Sequence, residues 1–184
     1  MFTGTDQLVV MDLEATCDDR GSVPRHEMEI IEIGAVLVDP DGFEPVAEFQ
    51  SFIRPMRHPT LTAFCKELTS IRQPDIDAAP PFPEAIAAFK AWMYSQGATV
   101  FCSWGDYDRK QMEQDCQLHR VPYPMPGRHL NLKALFSTNR GLRKKLGMAK
   151  ALEQVGLPLD GTHHRGIDDA RNIATLLPYA VGAR

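Results

Sequence analysis

Five residues have the types and settings that hydrolytic chemistry needs: Asp12 and Glu14 in "VVMDLEAT", Asp108 in "WGDYD", and His164 and Asp169 in "HHRGIDDARN". Leu8, Val9, Val10 and Met11 read as a buried strand that Asp12 and Glu14 continue. Side chains two apart on a strand share a face, so the two carboxylates project together from the strand's end. A D-x-E pair is common on exposed strands. Behind an apolar run it is costly, because a charge beside a core needs something to neutralise it.

Helical spacing selects the other acids. From Asp169, positions i+3, i+4 and i+7 are Asn172, Ile173 and Leu176, largely a buried face. The same count from Asp168 gives Arg171, Asn172 and Thr175, a polar face, so Asp168 is expected as an N-cap or solvated residue. Asp106 shares its face with Arg109, Lys110 and Glu113, whereas Asp108 lines up with Met112 and Cys116. Asp108 is the inward acid, just past a buried strand, where α/β sheets place function. Asp18 and Asp19 read as surface residues.

Four inward carboxylates from three distant segments cannot share a pocket uncompensated. Two divalent cations would neutralise them, and an oxygen-only donor set suits Mg²⁺ or Mn²⁺. Two such ions about 4 Å apart clamp the attacking and leaving oxygens of an in-line phosphoryl displacement. A base is still required to take a proton from water. His164 precedes Asp169 by five residues, a turn of about 500° at roughly 100° per helical residue, so the two do not share a helix face. His164 is therefore placed on a mobile loop with Gly166 as its joint, and an imidazole pKa near 6.5 suits the task. His163 reads as a surface histidine.

Positioning these groups requires strands at 7–14, 29–39 and 45–53, the last two joined as an antiparallel hairpin through the turn "DPDG". A short helix follows from about Thr60, then a Pro- and Asp-rich loop (70–82) and the helix "PEAIAAFKAWMYSQ". "ATVFCSW" (98–104) is a buried strand followed by the helix "DRKQMEQDCQLH", and "RHLNL" is a further short strand. Met148, Ala151, Leu152 and Val155 mark a helix closed by Gly156, and "DDARNIATLLPYAV" is the last helix. A three-strand meander followed by alternating helices and strands predicts an α/β fold: a mixed five-stranded sheet flanked by helices, in one domain over residues 1–184.

The chain's 184 residues suffice for a real core, and 43% hydrophobic with 24% charged residues describe a soluble protein. No apolar run approaches a membrane span, no membrane contact is expected, and a cytoplasmic address is the expectation. Cys17, Cys65, Cys102 and Cys116 form no CxxC pair and are expected to be reduced. A net charge of −4 argues against coating nucleic acid by bulk attraction, with one local exception. The run "NRGLRKKLGMAK" (139–150) carries Arg140, Arg143, Lys144, Lys145 and Lys150 and no acid. It is a candidate guide for a phosphate backbone, or a solvated loop and helix face.

"DLEAT", "WGDYD" and "HHRGIDDARNIA" resemble the three motifs of DEDDh 3′–5′ exonucleases of the ribonuclease H-like superfamily. "CKELTSI" and "FPEAIAAFKAWM" narrow the resemblance to the subgroup of RNA-interference-regulating and histone-mRNA-trimming exonucleases, with bacterial sporulation-inhibitor-like homologues. It covers about residues 6 to 180. It implies Asp12, Glu14, Asp108 and Asp169 as metal ligands, His164 as general base, and contacts from Leu13, Ala15 and Thr16 to the terminal nucleotide. It also implies attack from the 3′ end of single-stranded RNA or DNA with release of nucleoside 5′-monophosphates. Asn131 stands where relatives often carry Asp, at a position that is not a ligand. Phe64 and Trp104 are candidates to stack on a base, Trp104 with a competing core role. The alternatives are a silent nucleic-acid-binding module and a proofreading partner of a polymerase. Protein partners are not readable.

Overall fold

In the computed structural model, residues 7–125 and 127–184 are described. Strands β1 (Leu8–Ala15), β2 (Ile30–Val38), β3 (Pro45–Phe52), β4 (Val100–Ser103) and β5 (Arg128–Asn131) form one sheet in the order β3-β2-β1-β4-β5. The β1–β2 and β2–β3 pairs are antiparallel, while β4 and β5 add in parallel with β1. The helices are α1 (Ala63–Thr69), α2 (Gln73–Asp77), α3 (Phe82–Ser95), α4 (Tyr107–His119), α5 (Leu132–Asn139), α6 (Met148–Gln154) and α7 (Gly166–Ala180). The mixed five-stranded α/β architecture agrees with the expectation, and no described helix is long and apolar enough to cross a membrane.

The period of two in β1 builds both layers. Val9, Met11 and Leu13 pack with Phe82, Phe89 and Met112 on one face. Leu8 and Val10 pack with Ile173, Leu176 and Leu177 of α7 on the other. Asp12 and Glu14 fall on the α7 face by the same alternation, so the sheet itself aims them at that helix.

Glycine lets α7 come close enough to meet them. Gly34 on β2 lies opposite Asp12 in register, and a Cβ placed there would stand 2.1 Å from the Gly166 carbonyl carbon. Gly166 is thus the buried first residue of α7, its N–H donating to Glu32 Oε2 at 3.0 Å. It is clamped against the sheet and does not serve as the joint expected from sequence. Asp168 is not the N-cap, one of its two expected roles, since Arg165 is; it lies on the polar face as expected, accepting from Thr162 N at 2.9 Å and pairing with Arg171.

The loop expected over 70–82 contains α2. Asp75 accepts from the Arg72 backbone N–H and guanidinium, and Pro74 sits in the first turn, where its missing N–H costs nothing. Asn131 caps α5 by accepting from Ala134 N at 2.9 Å, a role that Asn fills as well as Asp. The four cysteines are free thiols.

Candidate active site

The carboxyl end of β1, the first turn of α4 and the first turn of α7 converge on one cleft of about 330 Å³. Its walls include Asp12, Leu13, Glu14, Trp104, Tyr107, Asp108, His163, His164 and Asp169, with Gly147 and Met148 from the start of α6. Carboxylate oxygens of Asp12, Glu14 and Asp169 lie within 4.8 Å of one another. Asp108 Oδ1 accepts from Leu13 N at 3.2 Å, which ties α4 to the strand between the two β1 acids. All five residues selected by type and spacing therefore line one cleft.

The electrostatics of this cluster are unfavourable without a cation. Loss of water, then the neighbouring charges of Asp108, Glu14 and Asp169, holds Asp12 well above the usual carboxylate range. Loss of water, then Asp169 and Glu32, pushes Glu14 up to about 9. Asp108 rises to about 6 through burial, moderated by the N–H groups that donate to it. Among the described residues no Lys or Arg forms an ion pair with any of these four acids. Four buried or part-buried carboxylates with no Lys or Arg partner fit hard divalent cations.

Arg165, which follows His164 in the chain, is committed elsewhere. Glu32, fully buried on β2 and directly opposite Glu14, binds Arg165 Nε at 3.1 Å, Gln50 Nε2 at 2.7 Å and the Gly166 N–H. Glu32 escaped the sequence reading, although an acid inside the apolar run 30–38 is the same signal that singled out Asp12. Its partners make it a positioning residue that fixes the start of α7.

The two histidines both lie against Asp169. His163, expected on the surface, is exposed, yet its Nδ1 lies 2.9 Å from Asp169 Oδ2. His164 adopts φ 64°, donates its backbone N–H to Asp169 Oδ2 at 3.0 Å, and stacks its ring on His163 at 3.9 Å. Burial first, then the His163 ring, lowers the His164 pKa below the usual imidazole value. A neutral imidazole facing the cleft at neutral pH is competent to accept a proton.

The expected nucleotide contacts separate. Leu13 and Trp104 line the cleft. Trp104 also serves the core, packing on Phe136 at 5.7 Å and donating Nε1–H to Leu146 O at 3.1 Å. Thr16 is buried, and its hydroxyl is taken by Glu29 N at 3.0 Å. Ala15 is buried with its carbonyl facing the Cys65 thiol, and Phe64 sits half-buried on α1; neither lines the cleft. Tyr107, one residue before Asp108, lines it and was not singled out by spacing.

A mixed five-stranded sheet that gathers four carboxylates and a histidine at the mouth of its central strand is a ribonuclease H-like fold. The chain matches the RNase_T exonuclease family over residues 9–177, and it belongs to that family. Human ERI1 exoribonuclease 2 is 31% identical over 93% of this chain, which spans only 28% of that protein. The probable 3′–5′ exonuclease KapD of Bacillus subtilis (strain 168) is 33% identical over 90% of this chain and 80% of its own length. The nuclease domain of 3′hExo, a DEDDh family member solved bound to rAMP, superimposes with a TM-score of 0.86 at 31% identity, covering 93% of this chain and 89% of that one. This family uses divalent metal ions.

Proposed function

We propose that this chain is a 3′–5′ exonuclease that hydrolyses the terminal phosphodiester of single-stranded RNA or DNA and releases nucleoside 5′-monophosphates, with Mg²⁺ or Mn²⁺ at two positions. The observation that carries the reading is the cluster of Asp12, Glu14 and Asp169 oxygens within 4.8 Å, with no Lys or Arg paired to it among the described residues and with Asp108 in the same cleft. When bound there, two divalent ions would neutralise the carboxylates and stabilise negative charge on the attacking and departing oxygens.

The side chains supply the remainder. His164 accepts the proton of the attacking water, its imidazole kept neutral by its partial burial. The Glu32–Arg165 pair and the Gly34–Gly166 approach hold α7 so that Asp169 reaches β1. Leu13 and Trp104 contact the terminal nucleotide, and the exposed Arg140, Arg143, Lys144, Lys145 and Lys150, in the segment that also carries the cleft-lining Gly147 and Met148, offer charge to phosphates.

Incubation with Mn²⁺ and 5′-labelled RNA or DNA oligonucleotides tests the reading. A ladder shortening from the 3′ end is expected, and it should vanish in Asp12→Ala and Asp169→Ala with the circular dichroism spectrum unchanged. Undiminished cleavage in either variant would sink the assignment, and binding without cleavage by the unaltered chain would favour a regulatory module.

A further inference from the structure

A second concavity of about 380 Å³ adjoins the cleft through a shared wall, the Tyr107 ring. It is lined by Arg25, His26, Tyr107, Lys110, Gln111 and Gln114. Tyr107, Lys110, Gln111 and Gln114 are spaced i, i+3, i+4 and i+7, so they form one stripe along α4 that starts beside Asp108. At a rise of 1.5 Å per residue the stripe runs about 10 Å away from the acids. That length matches about three nucleotides of a stacked strand at roughly 3.4 Å each.

The far wall is held in place. Arg25 and His26 belong to a 3₁₀ turn (Arg25–Glu27), and α4 reaches across to fix the residues around it. Gln114 Nε2 donates to Met28 O at 2.7 Å, and Gln111 Nε2 donates to the same carbonyl at 2.9 Å. Arg57 donates to His26 O at 3.0 Å. The Arg25 guanidinium lies 5.5 Å from the centre of the Tyr107 ring.

Charge in this groove is left available. On α4, Arg109 is spent on Glu113 at 2.9 Å and Asp106 at 4.0 Å. Glu27, the acid within the turn, is engaged by His58 at 3.0 Å and lies 3.8 Å from His26. Among the described residues no carboxylate forms an ion pair with Arg25 or Lys110. Gln111 Nε2 also donates to Asp115 Oδ1 at 3.1 Å, so the two amides brace the wall, while two cations with no carboxylate paired to them and an aromatic edge along one stripe are what a single strand's backbone requires.

We infer that the groove along α4 carries the nucleotides upstream of the scissile bond, with Arg25 and Lys110 contacting their phosphates. The inference rests on the exonuclease reading and adds the route by which the strand leaves the site.

The test is the ratio of kcat/KM on a hexanucleotide to kcat/KM on a dinucleotide, measured with Mn²⁺ across KCl concentrations for the native chain and for Arg25→Gln/Lys110→Gln. A dinucleotide is too short to reach the groove. Loss of two phosphate contacts should flatten the salt slope of the ratio by about 1.4, from 0.7 per contact on single strands. Between about 50 and 200 mM KCl the native ratio should therefore fall about sevenfold more than the variant's. Arg25→Lys/Lys110→Arg should restore most of the slope, which separates lost charge from lost packing. A double variant with the native ratio and slope overturns the groove and leaves the exonuclease standing. Failure of the native chain to cleave either substrate overturns the exonuclease reading, and the groove with it.

Discussion

Replacing Glu14 by Gln should abolish activity and, in metal-free solution at alkaline pH, make the protein more stable. Burial and the neighbouring Asp169 and Glu32 raise the Glu14 pKa from 4.5 to about 9. A carboxyl whose folded pKa lies above its unfolded one contributes its stability below the unfolded value and loses it as pH rises toward the folded value. From about pH 4.5 upward the unfolded chain sheds the proton while the folded chain keeps it, so the folded state is penalised. At about pH 8 the single-site ceiling is about 5 kcal/mol, from 1.36 kcal/mol per pH unit. Because nearby carboxylates share this repulsion, a gain of about 2–3 kcal/mol is expected from removing one of them. For a chain of 184 residues that corresponds to a Tm higher by about 5–10 °C.

Thermal melts of both proteins in EDTA at about pH 5 and pH 8 read this directly. At the lower pH the same arithmetic leaves less than about 1 kcal/mol, so the two curves should nearly coincide. Adding Mn²⁺ at the higher pH should reverse the order, because the native site gains binding energy and the variant has lost a ligand. A Glu14→Gln protein no more stable at pH 8 than at pH 5, relative to the native chain, would refute the claim that this cluster is held against its own repulsion.

The other perturbations address the base, the neighbouring ring and the frame. His164→Ala should lower kcat by about 10²–10⁴ while the Mn²⁺-induced rise in Tm stays near native; a lost Tm response would make His164 structural. His163→Ala removes the ring that occupies Asp169 Oδ2 at 2.9 Å, so half-maximal Mn²⁺ stabilisation should come at lower metal concentration. Unchanged or weaker metal response would show that the His163 contact does not compete. Gly34→Ala drives a methyl to 2.1 Å from the Gly166 backbone; this overpacking should cost about 1–3 kcal/mol or more and displace Asp169. It should therefore depress both Tm and Mn²⁺ response, and a native-like Mn²⁺ response would contradict the proposed coupling of that approach to the site.

Whether a feature was legible depended on whether its cause lies within one element. Alternation along β1 is local, and it sufficed to send Asp12 and Glu14 to one face. Helical phase is local too, and it distinguished Asp169 from Asp168 and Asp108 from Asp106. What failed was set between elements. Gly166 reads as a joint in a string of letters, and only the approach of β2 turns it into a contact point. Thr16 lies two residues beyond Glu14, so strict alternation would aim it into the cleft. The bulge between Glu14 and Ala15 breaks that phase, and the Glu29 backbone takes the hydroxyl. His163 and His164 differ in role because a φ of 64° at His164 turns the chain, which no spacing rule reveals.

Glu32 shows why the acids must be read together rather than one at a time. It stands opposite Glu14, buried in an apolar strand, and by the test that selected Asp12 it would qualify as a ligand. The structure gives it Arg165, Gln50 and a backbone N–H, so its charge is already satisfied. Among the described residues Asp12, Glu14 and Asp108 have no such cation. Their need for one, and not their burial alone, separates the carboxylates that would bind metal from the one that holds the frame around them.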